Sequence, residues 1–165
     1  HAPTRGLMGY TSRFLTLTKG TGVINRLFHG YGKFEGEMDG RKNGALISMA
    51  TGKAVAFAIF NLQARGEMFV THNDPVYEGM IVGLAPKPGD MIINVMKGKQ
   101  LTNMRTQGTD ENVVLTPVRQ MSIAEQLSML NTDEALEITP KSLRLRKAIL
   151  NPNDRKKNEK SGTPL

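Results

Sequence analysis

The sequence predicts an α+β fold: mostly short antiparallel strands forming a small barrel or sandwich with a few short helices, preceded by the tail end of another α/β domain. Three observations predict it. Between residues 45 and 97, short apolar stretches recur between turn formers such as Thr51-Gly52, Asn73-Asp74-Pro75 and Pro86-Lys87-Pro88-Gly89, the rhythm of strands of about five residues. Ser122 with Glu125 heads an apolar stripe at helical spacing. The chain has 165 residues, 39% of them apolar and none of them cysteine, so packing alone must hold a core of this size.

Taken in order, Leu7, Tyr10, Phe14 and Leu17 share one face of a short helix ended near Gly20. Residues 21–34 follow as a β-like stretch in which Val23, Ile24, Leu27, Phe28 and Tyr31 are interrupted by glycines. One helix and one strand cannot close a core, so residues 1–35 are expected to complete a domain whose first half lies upstream. The opening residue is His1, which fits a piece of a longer protein. Asp39-Gly40 and Asn43-Gly44 then mark turns, and a second domain is expected over residues 36–160, with 161–165 as a tail.

Residues 45–50 and 53–60 read as a hairpin, its second strand alternating Val55, Phe57 and Ile59 with three alanines. Residues 67–70, 76–84 and 91–97 are further expected strands, and residues 113–116 another after a polar stretch. The Ser122/Glu125 capping box starts a helix over 123–130. Residues 135–139 return to a strand pattern, and Leu143 and Leu145 alternate with Arg144 and Arg146 in a strand with an apolar face and a basic one. Asn151, Pro152 and Asp154 supply an N-cap, a first-turn proline and an acidic first turn for a short basic helix carrying Arg155, Lys156 and Lys157.

Charge is concentrated at one end. Residues 1–140 hold 14 basic against 13 acidic side chains, whereas residues 141–165 hold 8 against 2, so +6 of the net +7 lies in the tail. Such a focused field attracts phosphates; a solvated, frayed terminus is the plainer alternative. No apolar run approaches the roughly 20 residues that cross a bilayer, and no apolar face backs the basic residues, so no membrane partner is expected and the chain is read as cytoplasmic. No GxxxxGK[ST] loop occurs, because Gly52-Lys53 is followed by alanine; the pairs Gly20/Gly22 and Gly30/Gly32 lack the third glycine of a dinucleotide loop. His1, His29 and His72 stand apart, and no catalytic or metal-binding set is expected.

Residues 97–111 form a polar stretch too long for an ordinary connection. Lys97, Lys99 and Arg105 offer charge to phosphates, and Thr102, Asn103 and Gln107 offer hydrogen bonds to base edges or ribose hydroxyls. By composition alone, a solvated loop and an RNA contact both fit.

A set of motifs carries a family resemblance: residues 3–10 with Gly20-Thr-Gly22, Asn43-Gly44 through Ser48, Gly52-Lys-Ala-Val-Ala56, Phe60-Asn-Leu-Gln63 with Arg65-Gly66, Val76-Tyr-Glu-Gly-Met80, Leu101-Thr-Asn-Met-Arg105, Gly108-Thr-Asp-Glu111 and Thr139-Pro-Lys-Ser142. In this order and spacing they resemble the BipA/TypA family of ribosome-associated translational GTPases, from about Pro3 to Lys160. The opening segment is similar to the end of the ferredoxin-like fifth domain of elongation factor G. The resemblance implies that residues 36–160 are the family's distinctive carboxy-terminal domain, which docks on the large half of the ribosome near the A site. Residues 97–111 would reach the acceptor end of A-site tRNA, with Lys97, Lys99, Leu101, Thr102, Asn103, Met104 and Arg105 as contacts to tRNA and rRNA. Arg144, Arg146, Lys147, Arg155, Lys156 and Lys157 form the basic set expected to meet RNA. Gln100, Thr106 and Gln107 depart from the family pattern, as do Thr11 and Arg13. The resemblance further implies a full-length protein acting in translation or ribosome assembly under stress, with GTP and Mg held by an upstream G domain and no cofactor in this piece. The alternative from another class is a protein-interaction or oligomerisation module without direct RNA contact.

Overall fold

The computed structural model describes residues 1–34, 36, 41–98 and 114–161. Its fold is α+β, as expected, but the described strands form three small sheets, none of them closed into a barrel. The first contains β1 (Ala45–Ser48), β3 (Glu67–Met68), β5 (Ile81–Leu84) and β6 (Met91–Ile93) in the order β3-β5-β1-β6. β1 runs antiparallel to β5 and parallel to β6. The second pairs β2 (Gly52–Lys53) with β4 (Pro75–Val76), and the third is the hairpin β7 (Glu134–Ile138) and β8 (Leu143–Lys147). The hairpin joins the first sheet through a bridge between Met80 and Arg146 and the hydrogen bond from Lys147 N–H to Gly79 O.

β1 is buried along its whole length, so it carries apolar side chains toward both faces. Leu46 packs on one side with Ile59, Val82, Ile93 and Val95; Ala45 and Ile47 pack on the other with Ile81 and Leu145.

Two sequence expectations fail here. The second strand of the expected 45–60 hairpin is instead the helix α2 (Ala56–Gln63). Its buried residues are Ala58, Ile59 and Leu62, a helical face, while Phe60 is half exposed. A short apolar run satisfies both periodicities, and the alanines, the strongest helix formers, tip the choice. The expected strand 76–84 is divided between β4 and β5. Gly79 turns the corner at φ +83°, where a Cβ would lie 2.7 Å from the Leu150 backbone, so both the dihedral and the space demand glycine.

At the amino end, a 3-10 turn (Thr4–Leu7) and α1 (Tyr10–Leu17) bury no residue, and residues 21–34 form no strand. Val23, Leu27, Phe28, Tyr31 and Phe34 stand largely in solvent. Described residues of the 113–116 stretch likewise pair in no strand. The helix expected over 123–130 is α3 (Ile123–Ser128), headed by a complete capping box: the Glu125 N–H donates to Ser122 Oγ, and the Ser122 N–H donates to Glu125 Oε2. The basic helix is α4 (Pro152–Ser161), whose first turn donates to Asn151 Oδ1 from Asn153 N–H at 2.9 Å.

Candidate nucleic-acid interface

The chain enters and leaves the polar stretch at residues 97–111 from opposite ends of α2. On the way out, Val95 is fully buried and its carbonyl accepts from Val55 N–H, at the helix N-terminus. On the return, Leu115 packs on the core and Thr116 makes two bonds with the Gln63 amide, at the last helical residue. Eight residues at 1.5 Å rise separate these anchors by about 12 Å. The helix therefore holds both stems of the stretch at a fixed span. Lys97 projects from the outgoing stem into solvent. Lys99, Leu101, Thr102, Asn103, Met104 and Arg105 lie outside the described residues.

The tail's basic residues divide into two environments. In α4, Lys156 and Lys157 are exposed, and Lys157 approaches Asp154 at 3.5 Å in an open pair of little energetic weight. Arg155 is half-buried and donates to the Ile149 and Leu150 carbonyls, so it fastens the helix to the preceding chain. In β8, Arg144 is half-buried and pairs with Glu137 at 3.2 Å, and Arg146 donates to the Lys147 carbonyl at 3.2 Å. Glu137 also accepts from the Tyr77 hydroxyl. Burial, then that hydrogen bond, pushes the Tyr77 phenol up to about 12.

Lys147 does not belong to an RNA-facing set. It is 1% exposed, and its ammonium lies 2.6 Å from Asp133, 3.0 Å from Glu134 and within reach of Asp90. Arg41 completes the cluster with a bidentate pair to Glu134 and a bond to the Met129 carbonyl. Burial alone would lower the Lys147 pKa, but the three carboxylates outweigh it and hold the pKa above the usual lysine value. The signal was present in the strand alternation: residues 143, 145 and 147 share a face, so Lys147 lies on the apolar side. Arg41 carried no such signal, since its partner Glu134 is 93 positions away.

His72 serves α2 locally, its Nδ1 accepting from Ala56 N–H. Among the described residues, no group of His, Asp and Glu converges as a metal site, and no helix is long and apolar enough to cross a membrane.

Comparison with known proteins adds a family. A model of the TypA/BipA C-terminal domain matches residues 43–152. The chain is 47% identical over 163 residues to BipA of Buchnera aphidicola, a protein named as an assembly factor of the large ribosomal subunit, covering 98% of this chain and 27% of that protein. Proteins of the same name from Salmonella typhimurium and Haemophilus influenzae are 47% and 43% identical, over 94% and 98% of this chain. The chain spans only 26–27% of the length of these relatives.

Proposed function

The chain belongs to the TypA/BipA family, and from that premise we propose that it is the ribosome-docking, RNA-contacting part of a translational GTPase concerned with assembly of the large ribosomal subunit. The observation that carries the reading is the pairing of a rigid base with open charge. α2 clamps both stems of the 97–111 stretch, while Lys97, Lys156 and Lys160 are exposed without an ion pair among the described residues. Held stems limit the conformations such a stretch loses on binding, and unpaired cations release counterions from phosphates.

In this reading, residues 97–111 reach toward A-site tRNA and the rRNA around it, with Lys99, Leu101, Thr102, Asn103, Met104 and Arg105 as contacts. GTP hydrolysis, with its Mg, falls to upstream domains that residues 1–35 help complete, and the whole protein works in the cytoplasm under stress. The exposed row Val23, Leu27, Phe28, Tyr31 and Phe34 favours a protein contact as well, and that contact fits the rest of the same protein.

Co-sedimentation of the intact chain with ribosomes at two salt concentrations tests the proposal. Each phosphate neutralised adds about 0.7–0.9 to the slope of log affinity against log salt, so binding should fall steeply between about 50 and 200 mM. Association that ignores salt and nuclease would instead mark a protein-interaction module.

A further inference from the structure

α2 turns Ala58, Ile59 and Leu62 to the core, so its opposite face lies outward. At about 100° per residue that outer face carries Phe57, Phe60 and Ala64, with Asn61 on its flank. Phe60 is 50% exposed, Phe57 is half-buried, and Ala64, one turn beyond Phe60, is small and open to solvent. A single exposed phenyl is ordinary on a protein surface, so the ring alone decides nothing. Its surroundings do.

Positive charge stands at both ends of the helix. Lys53 precedes its first turn, Lys97 follows the strand whose Val95 carbonyl accepts from Val55 N–H at 2.9 Å, and Arg65 follows its last turn. All three are exposed and have no ion pair among the described residues. The first acids after the helix are occupied elsewhere. Asp74 accepts from the Thr71 N–H at 2.7 Å and from its hydroxyl at 2.9 Å, and Glu67 faces Arg119 at 4.0 Å. Asn61 donates from Nδ2 to the Phe57 carbonyl at 2.8 Å, which fixes the side chain and leaves Oδ1 to accept from outside.

An occupant of this face therefore has to bring a flat or apolar body, an N–H or O–H donor and negative charge toward both helix ends. A protein segment covers a phenyl readily, but it answers these cations only where it carries acids at the right places. Single-stranded RNA brings all three on every nucleotide: a base for the ring, a base edge or ribose hydroxyl for Asn61, and phosphates for the cations. The face is also continuous with the candidate interface, because the same helix anchors both stems of the 97–111 stretch.

We propose that the outer face of α2 is a stacking platform for an unpaired base of RNA, with Phe60 beneath the base, Asn61 Oδ1 accepting from its edge or ribose, and Lys53 and Arg65 on the flanking phosphates. The proposal rests on the RNA-binding reading above and adds four residues that reading does not use.

Ribosome co-sedimentation of the intact chain as Phe60→Leu and as Phe60→Tyr tests it. Leucine keeps the apolar bulk and loses the ring, so Phe60→Leu should weaken binding about tenfold while the salt slope and melting temperature stay at the parent values. Phe60→Tyr keeps the π face and should bind like the parent. Arg65→Ala should lower the salt slope by about 0.7. After ultraviolet irradiation of the ribosome-bound chain, the tryptic peptide of residues 54–65 should carry a nucleotide. Parent-like binding by Phe60→Leu overturns the proposal, as does a protein crosslinked to that peptide in place of a nucleotide; salt-dependent binding by the parent then leaves the ribosomal reading standing. A parent chain that does not bind ribosomes overturns both.

Discussion

Lys147 at the end of β8 and Lys156 in α4 are nine positions apart in one basic stretch, yet they occupy opposite environments. Lys147 is enclosed by Asp90, Asp133 and Glu134, while Lys156 stands in water with no ion pair among the described residues. The difference lies in the element that carries each. A strand packed on a core offers alternate residues to the interior, so a lysine there survives only if carboxylates meet it. A helix with no apolar face leaves most of its side chains in solvent, Lys156 and Lys157 among them. Positive charge in the tail is therefore two devices: an interior latch tying β8 to the 85–91 turn and to β7, and an open surface free to meet phosphate.

The largest expected effect comes from breaking the latch. Lys147→Met keeps the aliphatic length but leaves the carboxylates without their central cation, and should cost about 3 kcal/mol in urea unfolding. Arg41 still neutralises Glu134, so the fold should survive in water.

The same cluster should give stability a dependence on pH. At Asp90, burial would raise the carboxyl pKa, but the Ala45 N–H and the Lys147 and Arg41 charges more than offset it, so the pKa lies below 3.8. A depressed carboxylate contributes fully above its unfolded value and loses that contribution as pH falls through the folded one. Lys147, raised above 10.5, contributes fully below that value and loses its part as pH climbs past it. Tyr77 acts with the same sign, its contribution fading between 10.0 and about 12. Unfolding free energy measured against pH should thus hold level near neutrality and fall at both ends. In Lys147→Met the acid-side fall should shrink, because Asp90 loses its main charged partner.

The elements that local chemistry specifies were legible in the sequence. The Ser122/Glu125 capping box and the Asn151-Pro152 opening satisfy their own helix ends within three residues, and the strands β7 and β8, though not their pairing, follow from alternation. Two of the failures depend also on contacts distant in sequence. α2 reads as a strand until Ala58, Ile59 and Leu62 are seen beneath the first sheet, and residues 76–84 read as one strand until Leu150 is seen crowding Gly79. Among the candidate cations, the alternation along β8 already set Lys147 apart from those facing solvent, whereas the carboxylates that enclose it gave no signal until the chain folded.

Salt-dependent sedimentation with ribosomes, run in parallel on Lys156→Ala/Lys157→Ala and on Lys147→Met, tests that division most directly. The α4 variant should lose about 1.5 from the salt slope while its unfolding free energy moves by less than about 0.5 kcal/mol. Lys147→Met should unfold far more readily and keep the parent slope. A parent-like slope in the α4 variant, or a slope lost in Lys147→Met under conditions where it remains folded, would contradict the account.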